Sequence, residues 1–456
     1  MHSYAKRWIA GLLGAVLLFT SGCAATAEEP SALTVQPLSQ PQYPQMAPYP
    51  DESAFLNKVT GEFDDEGFRQ VYDAWRQDQQ TQKNQPEGYA DGLNPFFAAS
   101  IPAILKSEGD NVLCSPLNLY LALAMLAETT EGTSRQQILD ALGSDGIQNL
   151  RTQAKSVWNA HYCADSATTS LLANSLWLEE GLSYRQEAVN ALSEQYYASV
   201  FQGDLGSPEA NRVLQNWLNE QTGGLLAEQA QTVELPPQTV LVLASTILYR
   251  SKWRAAFSED RNTSGIFHAP GGEREVTFLN RVLTYGPYYW GEGFAAVPLA
   301  LEDGSRMWLV LPDEGVTAAQ VLEDGTALQM LLAPDAYESQ TNIRVNLSLP
   351  KFDVSANLQL GQALQELGIT EVFQPDAADF SAIVQEGPAW LDQVQHAVRV
   401  MIDEEGVSAA AYTVMMTAGA ARPPEEEVDF ILDRPFLFVV TRHNNLPLFA
   451  GVVNQP

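Results

Sequence analysis

The strongest chemical signal in this chain is a run of residues near the C-terminus, and it is not catalytic. Asp403-Glu404-Glu405-Gly406 leads into Val407-Ser408-Ala409-Ala410-Ala411-Tyr412-Thr413, and no proline interrupts the chain from Val407 to Ala421. Alanine and serine bury little apolar area, so this stretch builds no core. What small side chains permit is close approach of a backbone to crowded neighbours, including passage into a gap between two strands. If strand alternation continues from Val400, then Val407, Ala409, Ala411, Thr413, Met415, Thr417 and Gly419 share one uncharged face. Tyr412 falls on the other face. Patterns that would carry catalysis are missing: the sequence has no G-x-S-x-G, H-E-x-x-H or phosphate-loop motif. Ser115 precedes Pro116 and reads as a structural hydroxyl. His396 stands alone in the strand-like Gln395-His396-Ala397-Val398-Arg399-Val400, just upstream of the small-residue run. Neither points to a nucleophile.

The rest of the chain sets the context for that segment. It has 456 residues, 45% of them apolar, enough for one large domain with an extension or for two or three average ones. A net charge of −31 excludes phosphate-backbone binding, which needs clustered Lys and Arg, and excludes electrostatic docking on anionic lipid. No nucleic-acid partner is expected. Five histidines and three cysteines are too few and too scattered for a metal site, so no metal or cofactor is expected. Cys114 lies in an apolar strand and reads as a buried thiol. An exported protein of this size does not need a Cys114–Cys163 bridge.

At the N-terminus, Lys6 and Arg7 precede the apolar run from Ile9 to Phe19, which has signal-peptide form and is too short to span a bilayer. It ends in Thr20-Ser21-Gly22-Cys23, which resembles a bacterial lipobox, apart from Thr20 where an aliphatic is usual. That resemblance implies a lipidated Cys23 and membrane anchoring at the cell surface. The rival is ordinary cleavage after Ala25-Thr26-Ala27, giving a secreted protein; both readings predict export. Residues 23–50 carry many Pro, Gln, Ala and Ser and read as a tether. In residues 51–91, an acidic extension, Phe55, Val59, Phe63, Phe68, Tyr72 and Trp75 recur at three- to five-residue steps. This spacing predicts one or two short amphipathic helices, either docked on the body or free as a partner-binding arm.

From residue 92 to 456 the chain resembles the serpins. Asn111-Val112-Leu113-Cys114-Ser115-Pro116-Leu117-Asn118 and Glu131-Gly132-Thr133-Ser134-Arg135 match family segments, as do Asn174-Ser175-Leu176-Trp177 and Leu248-Tyr249-Arg250-Ser251-Lys252-Trp253. Leu349-Pro350-Lys351-Phe352, Leu367-Gly368-Ile369-Thr370, Asp433-Arg434-Pro435-Phe436 and Val452-Val453-Asn454 follow in the family's order. The resemblance implies an α+β fold of three β-sheets and eight or nine helices. Its main sheet would have five strands and accept a sixth, supplied by an exposed reactive-centre loop. Glu404 to Thr413 would be the hinge of that loop. The implied function is suicide-substrate inhibition of a serine protease by a monomer, with the protease held as an acyl-enzyme; the protein itself is not an enzyme.

Loop length places the reactive bond at Ala420–Ala421, or at Ala421–Arg422 when counted back from Pro435-Phe436. A small residue before the bond suits elastase-like or subtilisin-like proteases. The family's sheet-opening cluster maps to Ser115, Asn118, Ser245, Trp253 and His396, with the usual Ser and Asn exchanged between 118 and 245. The competing readings are a non-inhibitory serpin serving as a surface binding or adhesion module, and a transporter's substrate-binding lipoprotein.

Overall fold

A computed structural model describes residues 35–57, 59–106, 109–407 and 426–456. The signal segment, Cys23, Ser408 to Thr413, Ala420 and Ala421 lie outside the described residues. Three sheets organise the body, as the sequence predicts. The main sheet runs in spatial order β1 (Gln36–Ser39), β6 (Ala198–Gly203), β4 (Thr169–Glu179), β7 (Leu241–Lys252), β16 (Gly406–Val407), β15 (Gln393–Ile402) and β13 (Phe352–Gln359), with β3 (Cys163–Ala164) beside β4. Five of these strands are long and the other three short. A second sheet runs β17 (Glu427–Ile431), β12 (Gln340–Pro350), β9 (Gly272–Gly291), β10 (Phe294–Ala300), β11 (Arg306–Pro312), β18 (Phe436–Arg442), β19 (Leu446–Val453) and β2 (Val112–Cys114), with β8 (Thr263–Ala269) on β9. The third is the pair β5 (Ser183–Tyr184) and β14 (Val384–Glu386).

The described residues hold ten α-helices, nine of them beyond residue 92. These are α1 (Asp65–Lys83), α2 (Asn94–Ile104), α3 (Pro116–Thr129), α4 (Gly132–Leu142), α5 (Ile147–His161), α6 (Gln186–Gln195), α7 (Pro208–Gln221), α8 (Ala318–Asp324), α9 (Thr326–Leu332) and α10 (Gly361–Glu366). Helix α3 matters most for the site. Its sequence is apolar on every side, the pattern of a helix with no solvent face, and it packs against β4 and β7 of the main sheet and β19 of the second. The Ser115 hydroxyl caps it by accepting from the Asn118 N–H, and Pro116 starts it where a missing N–H costs nothing. Strands β4 and β7 are almost continuously buried, as expected for central strands covered on both faces.

The stretch expected to be a tether is docked from Val35 onward. Strand β1 adds to the outer edge of the main sheet, antiparallel to β6, with Gln36 opposite Gln202 and Pro37 opposite Phe201. The edge tolerates Pro37 because its missing N–H leaves no inner ladder broken. Further on, the Tyr43 ring stacks on Trp158 of α5 at 5.5 Å, and the Tyr49 N–H donates to the Asp165 carbonyl. Of the predicted aromatic series only Phe68, Tyr72 and Trp75 fall in a helix, α1, capped by the Asp64 side chain; Phe55 ends a short 3-10 turn, and Val59 and Phe63 lie in the loop between. The rings form a ladder from Phe55 through Phe68 and Tyr72 to Trp75, closed by Tyr49. Of the helix residues only Gln79 is fully buried, and Leu56, Val59, Phe63 and Val71 remain exposed. Cys114 and Cys163 are both free and buried.

Candidate functional site

The main sheet is closed at one end and open at the other. Strands β7 and β15 pair directly and in parallel from Val242 opposite Gln393 to Thr246 opposite Ala397. Beyond that register they part, and β16 fills the gap. Val407 lies opposite Ser251 on one side and Ile402 on the other, while Gly406 faces Lys252. Val407 is only 1% exposed, so the hinge begins inside the sheet.

Getting the chain into that gap requires a tight turn, and the sequence supplies it. The Asp403 carboxylate oxygen Oδ1 accepts from the Glu405 N–H at 2.8 Å and the Gly406 N–H at 3.0 Å. The carbonyls of Asp403, Glu404 and Glu405 are all held from the loop that follows β7. The Trp253 indole donates to the Asp403 carbonyl at 2.9 Å, and the N–H groups of Phe257 and Trp253 donate to those of Glu404 and Glu405. A glycine is needed at 406 because a Cβ there would lie 2.3 Å from the Ser251 carbonyl oxygen, a backbone atom that cannot swing aside.

The Glu404 carboxylate is gripped at 2.7 and 3.0 Å by the Lys351 ammonium and at 2.7 Å by the Asn262 amide. Burial works to raise its pKa, but these donors outweigh burial and hold it below the ordinary carboxylate range. Glu405 contrasts with it: one of its carboxylate oxygens is buried without a hydrogen bond among the described residues.

Four of the five expected cluster residues meet where β7 and β15 part. His396 and Ser245 are opposite partners across those strands, and the Ser115 N–H donates to His396 Nε2 at 2.8 Å. That nitrogen therefore carries no proton. The proton resides on Nδ1, which donates to the Ser245 hydroxyl oxygen at 2.6 Å. Burial pushes the imidazole down to about 4, keeping it neutral at neutral pH.

Asn118, in the first turn of α3, donates to the Thr246 carbonyl at 2.8 Å and the Ala173 carbonyl at 3.3 Å, and accepts from the Asn174 amide at 2.9 Å. The Thr246 hydroxyl bonds to the Ala397 carbonyl at 2.7 Å. One helix terminus thus clips three central strands together at the fork, and the exchanged Asn and Ser remain paired. Trp253 stands apart from this group, at the mouth, where it holds the turn.

Sequence reasoning missed Asn174, Thr246, Lys351, Asn262 and Phe257 as site residues. Asn174, Thr246 and Lys351 lie in or beside stretches that carry the family resemblance. No local signal marks Asn262 or Phe257, because they act through backbone or amide groups distant in sequence.

The comparisons agree with this geometry. A family model described as "Serpin (serine protease inhibitor)" matches residues 93–456. The chain is 28% identical over 369 residues to a plasma serine protease inhibitor of Mus musculus, an alignment covering 77% of this chain and 87% of that one. It is 26% identical to an uncharacterized serpin-like protein of the archaeon Methanosarcina acetivorans, covering 80% and 85%. Among solved structures, the thermophilic serpin tengpin in its native state superposes with a TM-score of 0.73 at 24% identity, covering 82% of this chain and 96% of that one. A short strand at Gly406–Val407 seated in the fork of the main sheet and a family match spanning the whole body give one conclusion: the chain belongs to the serpin family.

Proposed function

We propose that this serpin is an exported suicide-substrate inhibitor of serine proteases. The protease serine attacks the carbonyl of Ala420, the Ala420–Ala421 bond breaks, and the new amine of Ala421 leaves with the C-terminal fragment. The freed hinge side then follows Val407 into the gap between β7 and β15, carrying the acyl-enzyme with it before water can hydrolyse the ester. The supporting observation is β16: Gly406 and Val407 already form ladder pairs with the neighbouring strands, Ser408 to Ala411 are small, and no proline follows as far as Ala421. Alanine before the bond fits the narrow primary pocket of an elastase-like or subtilisin-like protease. Arg422 is followed by Pro423, which disfavours cleavage after that arginine by trypsin-like enzymes. Export begins with the apolar leader, and a lipidated Cys23 holds the protein at the surface of the cell that makes it.

The test is incubation of the mature protein with an elastase and with a subtilisin, followed by denaturing electrophoresis and intact-mass measurement. The expected result is a boiling-stable adduct together with a released peptide beginning at Ala421. Cleavage there without an adduct would overturn inhibition of these proteases. If the cleaved chain also gained no heat stability, a non-inhibitory binding role would replace the inhibitory one. Mass spectrometry of the N-terminal peptide from native membranes reads the anchor directly: acyl chains on Cys23 support it, and an unmodified N-terminus at Glu28 overturns it.

A further inference from the structure

At the end of β13 and β15 farthest from the hinge, a pocket of about 510 Å³ lies between α10, the 3-10 turn Glu371–Phe373 and the start of β15. Small-molecule pockets run from about 300 to 1,000 Å³, so the volume is of the right order for one. The lining combines two rings, Phe373 and Trp390, with four side-chain amides, those of Gln359, Gln362, Gln365 and Gln393. No Lys, Arg or His lines it, and its one acidic side chain is Asp392.

Two of these parts are held in place from behind. The Trp390 indole donates to Asp392 Oδ1 at 3.0 Å, and Asp392 Oδ2 accepts from the Val240 N–H at 2.5 Å and the Leu241 N–H at 3.4 Å. The carboxylate is thereby spent on the sheet, and the ring it fixes stays half-buried at the pocket wall. Gln393 Oε1 accepts from Gln359 Nε2 at 3.3 Å and from Gln395 Nε2 at 3.0 Å, and Gln395 is itself buried. What Gln393 has left to offer is its –NH2 group, and what Gln359 has left is its oxygen. Gln362 and Gln365 are exposed on α10.

This lining selects by exclusion. An anion would find no cation, and a metal ion would find only a carboxylate already engaged. A purely apolar ligand would strip water from four amides and give them no partner in return, at the desolvation cost of each. A neutral ligand with many hydroxyls and one apolar face meets every group. A pyranose has both: hydroxyls that donate and accept, as the amides do, and a face of C–H bonds whose partial positive charge suits the negative face of an aromatic ring. An extended peptide is served less well, because β13, the edge strand of the main sheet, stops at Gln359 and leaves no free ladder along the pocket.

We propose that this pocket binds a neutral hexopyranose unit of a glycan, stacked on Trp390 and hydrogen-bonded by the amides of Gln362, Gln365 and Gln393. The site is separate from the hinge and does not depend on the inhibitory reading.

Methyl glycosides of glucose, galactose, mannose and N-acetylglucosamine are titrated into the mature protein and followed by saturation-transfer NMR, beside an uncharged, end-blocked peptide. A saturable signal from at least one glycoside is expected. Trp390→Ala should weaken it by about tenfold or more, the worth of an aromatic contact, and Trp390→Phe should retain most of it. Because Trp390 also braces Asp392, a second variant carries the test if Trp390→Ala fails to fold. That variant is the double change Gln362→Ala and Gln365→Ala on the exposed helix, for which weaker binding at an unchanged melting midpoint is expected. Trp290→Ala, at an exposed tryptophan outside the pocket, should leave binding unaltered. No saturable signal from any glycoside, a signal from the peptide alone, or undiminished binding in the pocket variants overturns the proposal.

Discussion

At the residue scale, the hinge and the fork depend on contacts that single substitutions remove. Gly406→Ala places a methyl against the Ser251 carbonyl and should push β16 out of the mouth, at a cost of about 1–3 kcal/mol. A lower melting midpoint and faster amide exchange at Val407 would register it. Ser245→Ala leaves the buried His396 Nδ1–H without an acceptor, so a loss of about 1–3 kcal/mol and a greater tendency to polymerise are expected. Unchanged melting and monomer content would count against that role. The same imidazole gives the molecule an acid sensitivity whose sign is fixed. Its folded pKa, about 4, lies below the unfolded value of 6.5, so the unfolded chain binds more protons between those values. Stability is therefore lost as pH falls from about 6.5 to 4, by about 3 kcal/mol for this group alone. His161 and His443, whose imidazoles burial also pushes down, act in the same direction. Replacing His396 with Gln should flatten the decline of the melting midpoint across that window without abolishing it.

At the element scale, the N-terminal segment is where composition and structure part company. Residues 35–50 hold few apolar side chains and no period, so their sequence reads as linker. Docking comes instead from backbone pairing of β1 with β6, from the burial of Val35, and from the rings of Tyr43 on Trp158 and Tyr49 on Trp75, and none of these leaves a pattern in composition. The aromatic steps from Phe68 to Trp75 were legible as helix because a 3.6-residue period survives in sequence, whereas Phe55, Val59 and Phe63 keep similar spacing without being helical beyond a 3-10 turn. Tyr43→Ala should cost about 2–4 kcal/mol if this contact holds the segment down. The matching measurement is limited proteolysis, with cutting between Val35 and Pro50 accelerated in the variant.

At the scale of the whole molecule, the three-sheet body was readable because ordered motifs from Asn111 to Asn454 carry it, and Gly406 and Val407, within the expected hinge, lie in the main sheet. The fork was only half readable: Ser115, Asn118, Ser245 and His396 could be named, but not the partners Asn174 and Thr246 that complete the clip. Those contacts depend on β4, β7 and α3 converging, which no local pattern encodes. The direction of β16 has a further consequence. Strands β7 and β15 are parallel to each other, whereas β16 runs antiparallel to both. The first residues that follow Val407 inward would enter the open part of the fork, and those reaching the Val242–Thr246 register would each exchange one slanted parallel pairing for antiparallel ones on both sides, the stronger kind. On the proposed inhibitory reading, insertion would therefore run downhill: each step would make more ladder bonds than it breaks, and withdrawal would meet the opposite balance. The clip of His396, Ser245, Asn118 and Thr246 stands ahead of that path, at the closed part of the fork, and would have to part for a new strand to pass.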